Sequence, residues 1–243
     1  MSADATSTIV LVHGAFAESA SWDDVVVPLR AAGHPVIAAA IALRSLVADA
    51  ASVSDLVRSI DGPVVLVGHS YGGATITNVA ADAGTITALV YIAGYALDPG
   101  ESCGDGSALA PGGTLAPTLH EVPLTGGDTD LYIAQDKYHE QFAADLPREK
   151  TALMAVAQRP ATASSLAEPS TDSPLWRTVP SWFLFGELDL NIPVGAHRIM
   201  AERAGSRGTV EIAGGSHAIG VSHPQETAQI ILEAARAGSL VGA

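Results

Sequence analysis

The eleven residues PVVLVGHSYGG, 63–73, decide how the chain is read. Five apolar residues run into Ser70, which stands between Gly68 and Gly72. A continuous β-branched run of this length reads as a strand buried on both faces, as parallel sheets require. The segment TITNVAA, 75–81, then reads as a helix. A serine at a sharp turn between strand and helix presents its hydroxyl free of neighbours, and the crowded backbone there demands very small residues two before and two after it. A hydroxyl is a weak nucleophile until a base removes its proton. A helix N-terminus adds free N–H groups where an anionic intermediate would sit. Gly-x-Ser-x-Gly alone also arises by chance in a Gly-rich chain, with the serine merely capping a helix. The order strand, turn, helix separates the two readings.

Working outward, TIVLVHG (8–14), HPVIAAAI (34–41) and ITALVYIAG (86–94) read as further buried parallel strands. Helical patterns lie between them near 20–32, 50–60 and 71–83. Strands apolar on both faces need helices on both sides of the sheet. From Asp98 the alternation dissolves into a stretch rich in Gly, Pro, Ser and Thr, too long for a simple connection. Residues 129–168 then read as helical, with Leu131, Ala134, Tyr138 and Phe142 at helix spacing. Alternation resumes with PSWFLFGE (180–187), a helix over 193–204, GTVEIAG (208–214) and a helix over 224–237. The expectation is an α/β core in two parts, 1–97 and 175–243, with a helical cap insertion over 98–174.

The serine needs a base and an acid, expected in the chain order Ser, Asp or Glu, His. GELDLNIP (186–193) offers Glu187 and Asp189 beyond a buried strand, where parallel sheets place working groups. Asp189 is preferred because it lies deeper in the loop, leaving Glu187 as a solvated turn residue. GGSHAIGVSHP (214–224) offers His217, directly after a glycine turn, and His223, which leads into the last helix; His217 is preferred. Oxyanion donors are expected from the N–H of Tyr71, next after the nucleophile, and from a loop after the first strand. Ala15 is chosen there, with Phe16 as the alternative, and His13 is expected to tie that loop down. His69 is expected to pack under the turn.

Composition excludes other classes. Of 243 residues, 48% are hydrophobic and 16% charged, as in a globular chain. A net charge of −14, with 12 Lys and Arg, disfavours nucleic acid, whose affinity comes from neutralised phosphates. Apolar runs such as VIAAAIAL (36–43) fall short of a membrane span, and MSADATST carries no basic secretory leader. One cysteine, Cys103, excludes an internal disulfide and fits a reducing compartment, so the cytoplasm is expected. Eight histidines without a Cys/His cluster or an H-E-x-x-H pattern give no support for a metal, and no glycine-rich nucleotide motif is present. No cofactor is implied.

With LVHGAF, VGHSYGG, GELDLNIP and GGSHAIGVSHP in this order, the chain resembles α/β-hydrolase-fold proteins over nearly its whole length. The HGAF loop, Ser21-Trp22, AAGHPV (31–36) and the final SHP resemble the branch of small bacterial esterases related to plant methylesterases and hydroxynitrile lyases. The resemblance implies a mostly parallel sheet with helices on both faces and a cap over the pocket. It further implies a triad of Ser70, His217 and Asp189, with Ala15 and Tyr71 as the oxyanion pair. The expected reaction is hydrolysis of a carboxylic ester or lactone through an acyl-enzyme. Phe16, Tyr71 and the cap residues Tyr132, Tyr138, Phe142 and Met154 are expected to line an apolar pocket. Lyases of that branch use a cap lysine; only Lys137 and Lys150 exist, both in polar surroundings. A cofactor-independent lyase or oxygenase, or a ligand receptor, remains the alternative. The expected partner is a small-molecule ester or lactone, with no nucleic acid and no membrane; homodimerisation stays open.

Overall fold

The computed structural model describes residues 6–239. The first residues of MSADATST therefore lie outside the described residues. Six strands form one sheet: β1 (Thr8–Val12), β2 (Val36–Ala39), β3 (Pro63–His69), β4 (Thr85–Ile92), then β8 (Ser181–Gly186) and β9 (Gly208–Ile212). Their order is β2-β1-β3-β4-β8-β9, and every neighbouring pair is parallel. β3, the strand that carries the serine, lies inside the sheet between β1 and β4.

Strand alternation sorts the core into two layers. Ile9, Leu11, Val65, Val67 and Val90 point to one face. There α1 (Asp23–Ala31) and α10 (Pro224–Ser239) bring Val25, Leu29, Ile231 and Ala234. Val10, Val12, Leu66, Tyr91, Phe183 and Phe185 point to the other, against α2 (Leu46–Arg58), α3 (Tyr71–Thr77) and α8 (Val194–Arg203). Each large side chain buried this way contributes roughly 1.5–3 kcal/mol. The continuous apolar runs follow from burial on both faces. α3 is shorter than the 71–83 expected, because Thr75, Thr77 and Asn78 turn their side chains back onto the carbonyls of Tyr71, Gly73 and Ala74. Such local bonds compete with helix continuation.

The chain leaves the core after β4 and returns at β8. Trp176 stitches the two ends of the excursion together, its indole N–H donating to the Leu97 carbonyl at 2.8 Å. The cap between them is not wholly helical. Helices α4 (Cys103–Ala108), α5 (Gln135–Phe142), α6 (Arg148–Ala157) and α7 (Ala163–Ala167) surround an antiparallel sheet. Its strands are β5 (Leu119–Pro123), β6 (Thr129–Ile133) and β7 (Ala161–Thr162). Leu131, read as the start of a helix, sits in β6 opposite Glu121. Its spacing to Tyr138 and Phe142 mimics a helix although a strand and a helix share it. Among the described residues no helix is long and apolar enough to cross a membrane.

Candidate active site

Ser70 ends β3 and precedes α3 with φ 53° and ψ −121°, a conformation that costs an L-residue roughly 1–3 kcal/mol. The surrounding backbone holds it there. Its N–H donates to the Ile92 and Ala93 carbonyls, and its carbonyl accepts from Gly73 at 2.8 Å and Tyr95 at 3.2 Å. A Cβ on Gly72 would collide with the Val12 carbonyl oxygen, and one on Gly68 with that of Gly72. The glycines are therefore a packing requirement of the turn. The nearby β1 loop crosses so closely that a Cβ on Gly14 would lie 2.6 Å from the Ser70 Cβ.

Two distant segments converge beside the hydroxyl. His217 Nε2 lies 2.9 Å from Ser70 Oγ, and His217 Nδ1 lies 2.7 Å from Asp189 Oδ2. A carboxylate only accepts, so Nδ1 carries the imidazole proton and the Nε2 lone pair faces the serine hydroxyl. His217 and Asp189 are buried. Burial by itself would raise the Asp189 carboxyl. The His217 charge and hydrogen bonds from His197 and His217 outweigh burial and hold it well below the usual carboxylate range. The Asn191 and Ile192 N–H groups also donate to Asp189 Oδ1, at 2.8 and 2.9 Å. Glu187 instead accepts from the Gly214 N–H at 3.0 Å, and His223 bonds Ser222 at 3.0 Å. Neither belongs to the cluster.

Two backbone donors stay unspent beside Ser70. Among the described residues no acceptor bonds the N–H of Tyr71 or of Ala15. The Phe16 N–H is taken, donating to the Arg159 carbonyl at 2.9 Å, which separates the two alternatives in this loop. Phe16 has φ 62°, and its own carbonyl accepts from the Tyr138 hydroxyl at 2.8 Å. The cap thus grips both sides of this loop. His13 bridges the Gly14 carbonyl at 2.9 Å and the Ile41 N–H at 3.2 Å. His69 lies under the turn, 3.1 Å from the His217 carbonyl oxygen, and burial with the neighbouring His217 pushes its pKa down to about 3.

A chamber of about 830 Å³ opens on Ser70. Its core wall is Ala15, Phe16 and Tyr71, and its cap wall includes Cys103, Leu115, Leu119 and Leu166. None of the residues lining it is charged. The Tyr71 hydroxyl is turned away and donates to buried Asp49 at 3.0 Å. Burial pushes the Cys103 thiol up, so it stays protonated and forms part of the wall. Of the cap residues expected here, Tyr132, Tyr138, Phe142 and Met154 do not line the chamber. Tyr138 and Phe142 face down one side of α5 into the cap–core seam, where Phe142 meets the His217 ring edge-on at 5.0 Å. Met154 and Tyr138 border a separate cavity of about 500 Å³ behind Phe16. Tyr132 sits in β6, where strand alternation turns it away from its buried neighbours Leu131 and Ile133.

The loop carrying His217 is itself tied to the cap. The Ala218 N–H donates to the Phe142 carbonyl at 2.9 Å, and the Ser216 N–H to Asp145 at 3.1 Å. Asp145, Asp49 and His197 are absent from the sequence expectations. His197 had a signal: it stands in the buried stripe Ala196, Met200, Ala201 of α8, where a polar residue needs a reason. Lys137 and Lys150 pair with Asp136 and Asp24 at the surface, away from Ser70. Among the described residues no three His, Cys, Asp or Glu side chains are grouped to hold a metal.

A parallel sheet with a serine turn at the end of an inner strand and a histidine and an aspartate on later loops defines a class, and the comparisons place the chain in it. The profile described as "Alpha/beta hydrolase family" matches residues 9–230, and the chain belongs to that family. It has the α/β-hydrolase fold. Polyneuridine aldehyde esterase superposes with a TM-score of 0.79 at 19% identity, over 94% of this chain and 98% of the other. A pyrethroid hydrolase from Sphingobium faniae JZ-2 gives 0.74 at 21%, over 95% and 98%. A methylesterase from Arabidopsis gives 0.77 at 17%, over 95% and 99%. A search of curated proteins finds no match.

Proposed function

We propose that the protein hydrolyses a neutral carboxylic ester or lactone through an acyl-enzyme on Ser70. The observation that carries this reading is the chain of contacts from Ser70 Oγ through His217 to Asp189, beside two unspent N–H donors. His217 Nε2 takes the serine proton as Oγ attacks the carbonyl carbon. The carbonyl oxygen becomes an oxyanion held by the Tyr71 and Ala15 N–H groups. The C–O bond to the alcohol then breaks, and His217 returns the proton to the leaving oxygen. Water, deprotonated by the same imidazole, attacks the acyl carbon and releases Ser70. Asp189 remains ionised throughout and holds the imidazole in the required tautomer, in keeping with its lowered pKa.

The substrate class follows from the chamber. A wall mostly of Leu, Ala, Gly, Phe and Tyr, with Ser102, Ser107 and Asn191 as polar members and no charged residue, offers no counter-charge for a carboxylate, phosphate or ammonium group, and desolvating an unpaired charge is costly. Its volume suits a medium to bulky apolar acyl or alcohol part. The esterases and the pyrethroid hydrolase among the fold neighbours are in keeping with this reading. A lyase that needs a cap lysine at the triad is disfavoured by the surface positions of Lys137 and Lys150.

The test is labelling with a fluorophosphonate, followed by a panel of p-nitrophenyl esters and lactones with neutral or carboxylate-bearing acyl groups. Labelling confined to Ser70, with turnover of the neutral members only, is expected. A folded protein that is neither labelled nor active overturns the reading; equal turnover of charged esters overturns the substrate class alone.

A further inference from the structure

We infer that His197 is a positioning residue, a second and permanently neutral imidazole that fixes Asp189 Oδ2 so that the carboxylate's charge is reserved for His217. This rests on the serine-hydrolase reading of Ser70, His217 and Asp189. His197 lies on α8, one helix turn beyond the loop that carries Asp189, and is buried, as are both of its neighbours in the cluster. Its Nε2 is 3.1 Å from Asp189 Oδ2, the same oxygen that accepts from His217 Nδ1 at 2.7 Å. Its ring stacks on Phe185 of β8 with centroids 4.8 Å apart and planes 10° apart. The ring therefore cannot swing away without losing that stack.

The protonation state follows from the contacts. His197 Nδ1 is buried and has no hydrogen-bond partner. A proton there would be an orphaned buried donor, and it would leave the bare Nε2 lone pair against a carboxylate oxygen. The proton belongs on Nε2, where it donates to Asp189. A second proton, on Nδ1, would put two cations against one carboxylate whenever His217 is charged. Burial, the largest influence, lowers the His197 pKa in spite of Asp189. The other titratable groups near this cluster are His217 itself, His69 with its ring centroid 4.9 Å from that of His217, and the buried hydroxyl of Tyr95. On the same helix, Arg198 and Arg203 pair with Glu211 and Glu101 and do not bond the cluster.

With His197 in place, Asp189 accepts four hydrogen bonds, two on each oxygen. Two backbone donors fix Oδ1 and one neutral imidazole fixes Oδ2, so the carboxylate presents a single orientation to His217. The His197 bond also draws electron density from Oδ2 and tempers its hold on the His217 imidazolium. Removing it strengthens that hold and loosens the carboxylate's orientation.

His197→Phe keeps the ring stack and deletes the donor. The expected result is a kcat lower by about tenfold at unchanged KM, with the acid limb of the kcat/KM profile moved about half a pH unit upward. His197→Gln, whose amide nitrogen reaches the Nε2 position, recovers most of both. An unmoved acid limb in the Phe variant, or a Gln variant as impaired as Phe, overturns the inference and leaves His197 a packing residue. Nitrogen-15 histidine NMR of the wild type gives a readout independent of both folding of the variants and turnover. A neutral ring protonated on Nε2 from pH 5 to 8 supports the inference, and an Nδ1–H or doubly protonated ring overturns it. Failure of the wild type to react with fluorophosphonate would sink the hydrolase reading separately.

Discussion

The core holds most of the buried apolar side chains and the cap only a minority, and the two are built in opposite ways. In the core, six parallel strands fix every side chain's face, and the backbone at their carboxyl ends carries the strain. Phe16, Leu43, Ser70 and Ala93, the non-glycine residues with positive φ among the described residues, stand just beyond β1, β2, β3 and β4. In the cap, short helices and a three-stranded antiparallel sheet close over a chamber of small and leucine side chains. A hydrogen-bonded sheet over-determines its edge and can hold reacting groups in costly conformations. A patchwork of short elements supplies shape. On the hydrolase reading proposed above, this division gives the chemistry to the core edge and the choice of substrate to the cap.

Substitutions at the two places should break or sharpen that contrast. Ser70→Ala is expected to lower kcat/KM by about 10⁴-fold or more at unchanged Tm, since the reacting groups act as a unit; a loss below tenfold would place the chemistry elsewhere. Gly72→Ala, which drives a methyl into the Val12 carbonyl, should destabilise by roughly 3 kcal/mol or more and be read as a large fall in Tm or loss of soluble protein. Asp145→Ala lies in the cap yet should reduce kcat by about tenfold to a hundredfold, because it loosens the His217 loop. Stopped-flow measurement of acylation would locate that effect, and an unchanged acylation rate would restore a strict division. Leu119→Ala should shift preference toward longer acyl chains by about fivefold, measured across a p-nitrophenyl ester series.

Stability against pH offers a test confined to the core. Burial lowers the pKa of His13, His69 and His197 below the unfolded value near 6.5. The unfolded chain then binds protons that the folded chain refuses, so stability is complete above about pH 6.5 and falls on acidification. The slope approaches about 1.4 kcal/mol per pH unit for each such histidine. For His69 the window runs down to about pH 3. Asp49, raised mainly by burial, acts in the opposite sense: its contribution is complete in acid and is lost as pH rises through the carboxylate range. A Tm that falls steadily from pH 7 to pH 5 is expected, and a flat Tm over that range would contradict neutral burial of these rings.

The same contrast explains what could be read from sequence. Parallel strands buried on both faces announce themselves as runs such as VVLV, and the serine turn announces its glycines because their Cβ positions are physically blocked. The order of Ser70, Asp189 and His217 could be read from loops just past such strands. The cap could not be read this way. TDLYI alternates over too few residues to outweigh the helical spacing that its Leu131 shares with Tyr138 and Phe142. Residue type alone points the cap aromatics toward the chamber, whereas Tyr138 and Phe142 brace the Phe16 loop and the His217 ring from behind. His197 and Asp145 act through partners far away in sequence, and no local pattern encodes such partners.

The four hydrogen bonds that Ser216 and Ala218 donate to Phe142 and Asp145 make the cap part of the mounting of His217. The cap cannot travel as a free door on its two stitched ends, because its middle is bolted to the residues on either side of His217. Any wide opening must either slacken the imidazole or carry it along. Transplanting the whole 98–174 segment into another hydrolase would bring a chamber of the right shape, and would leave the host's histidine loop without its brace unless the partners of Phe142 and Asp145 moved with it.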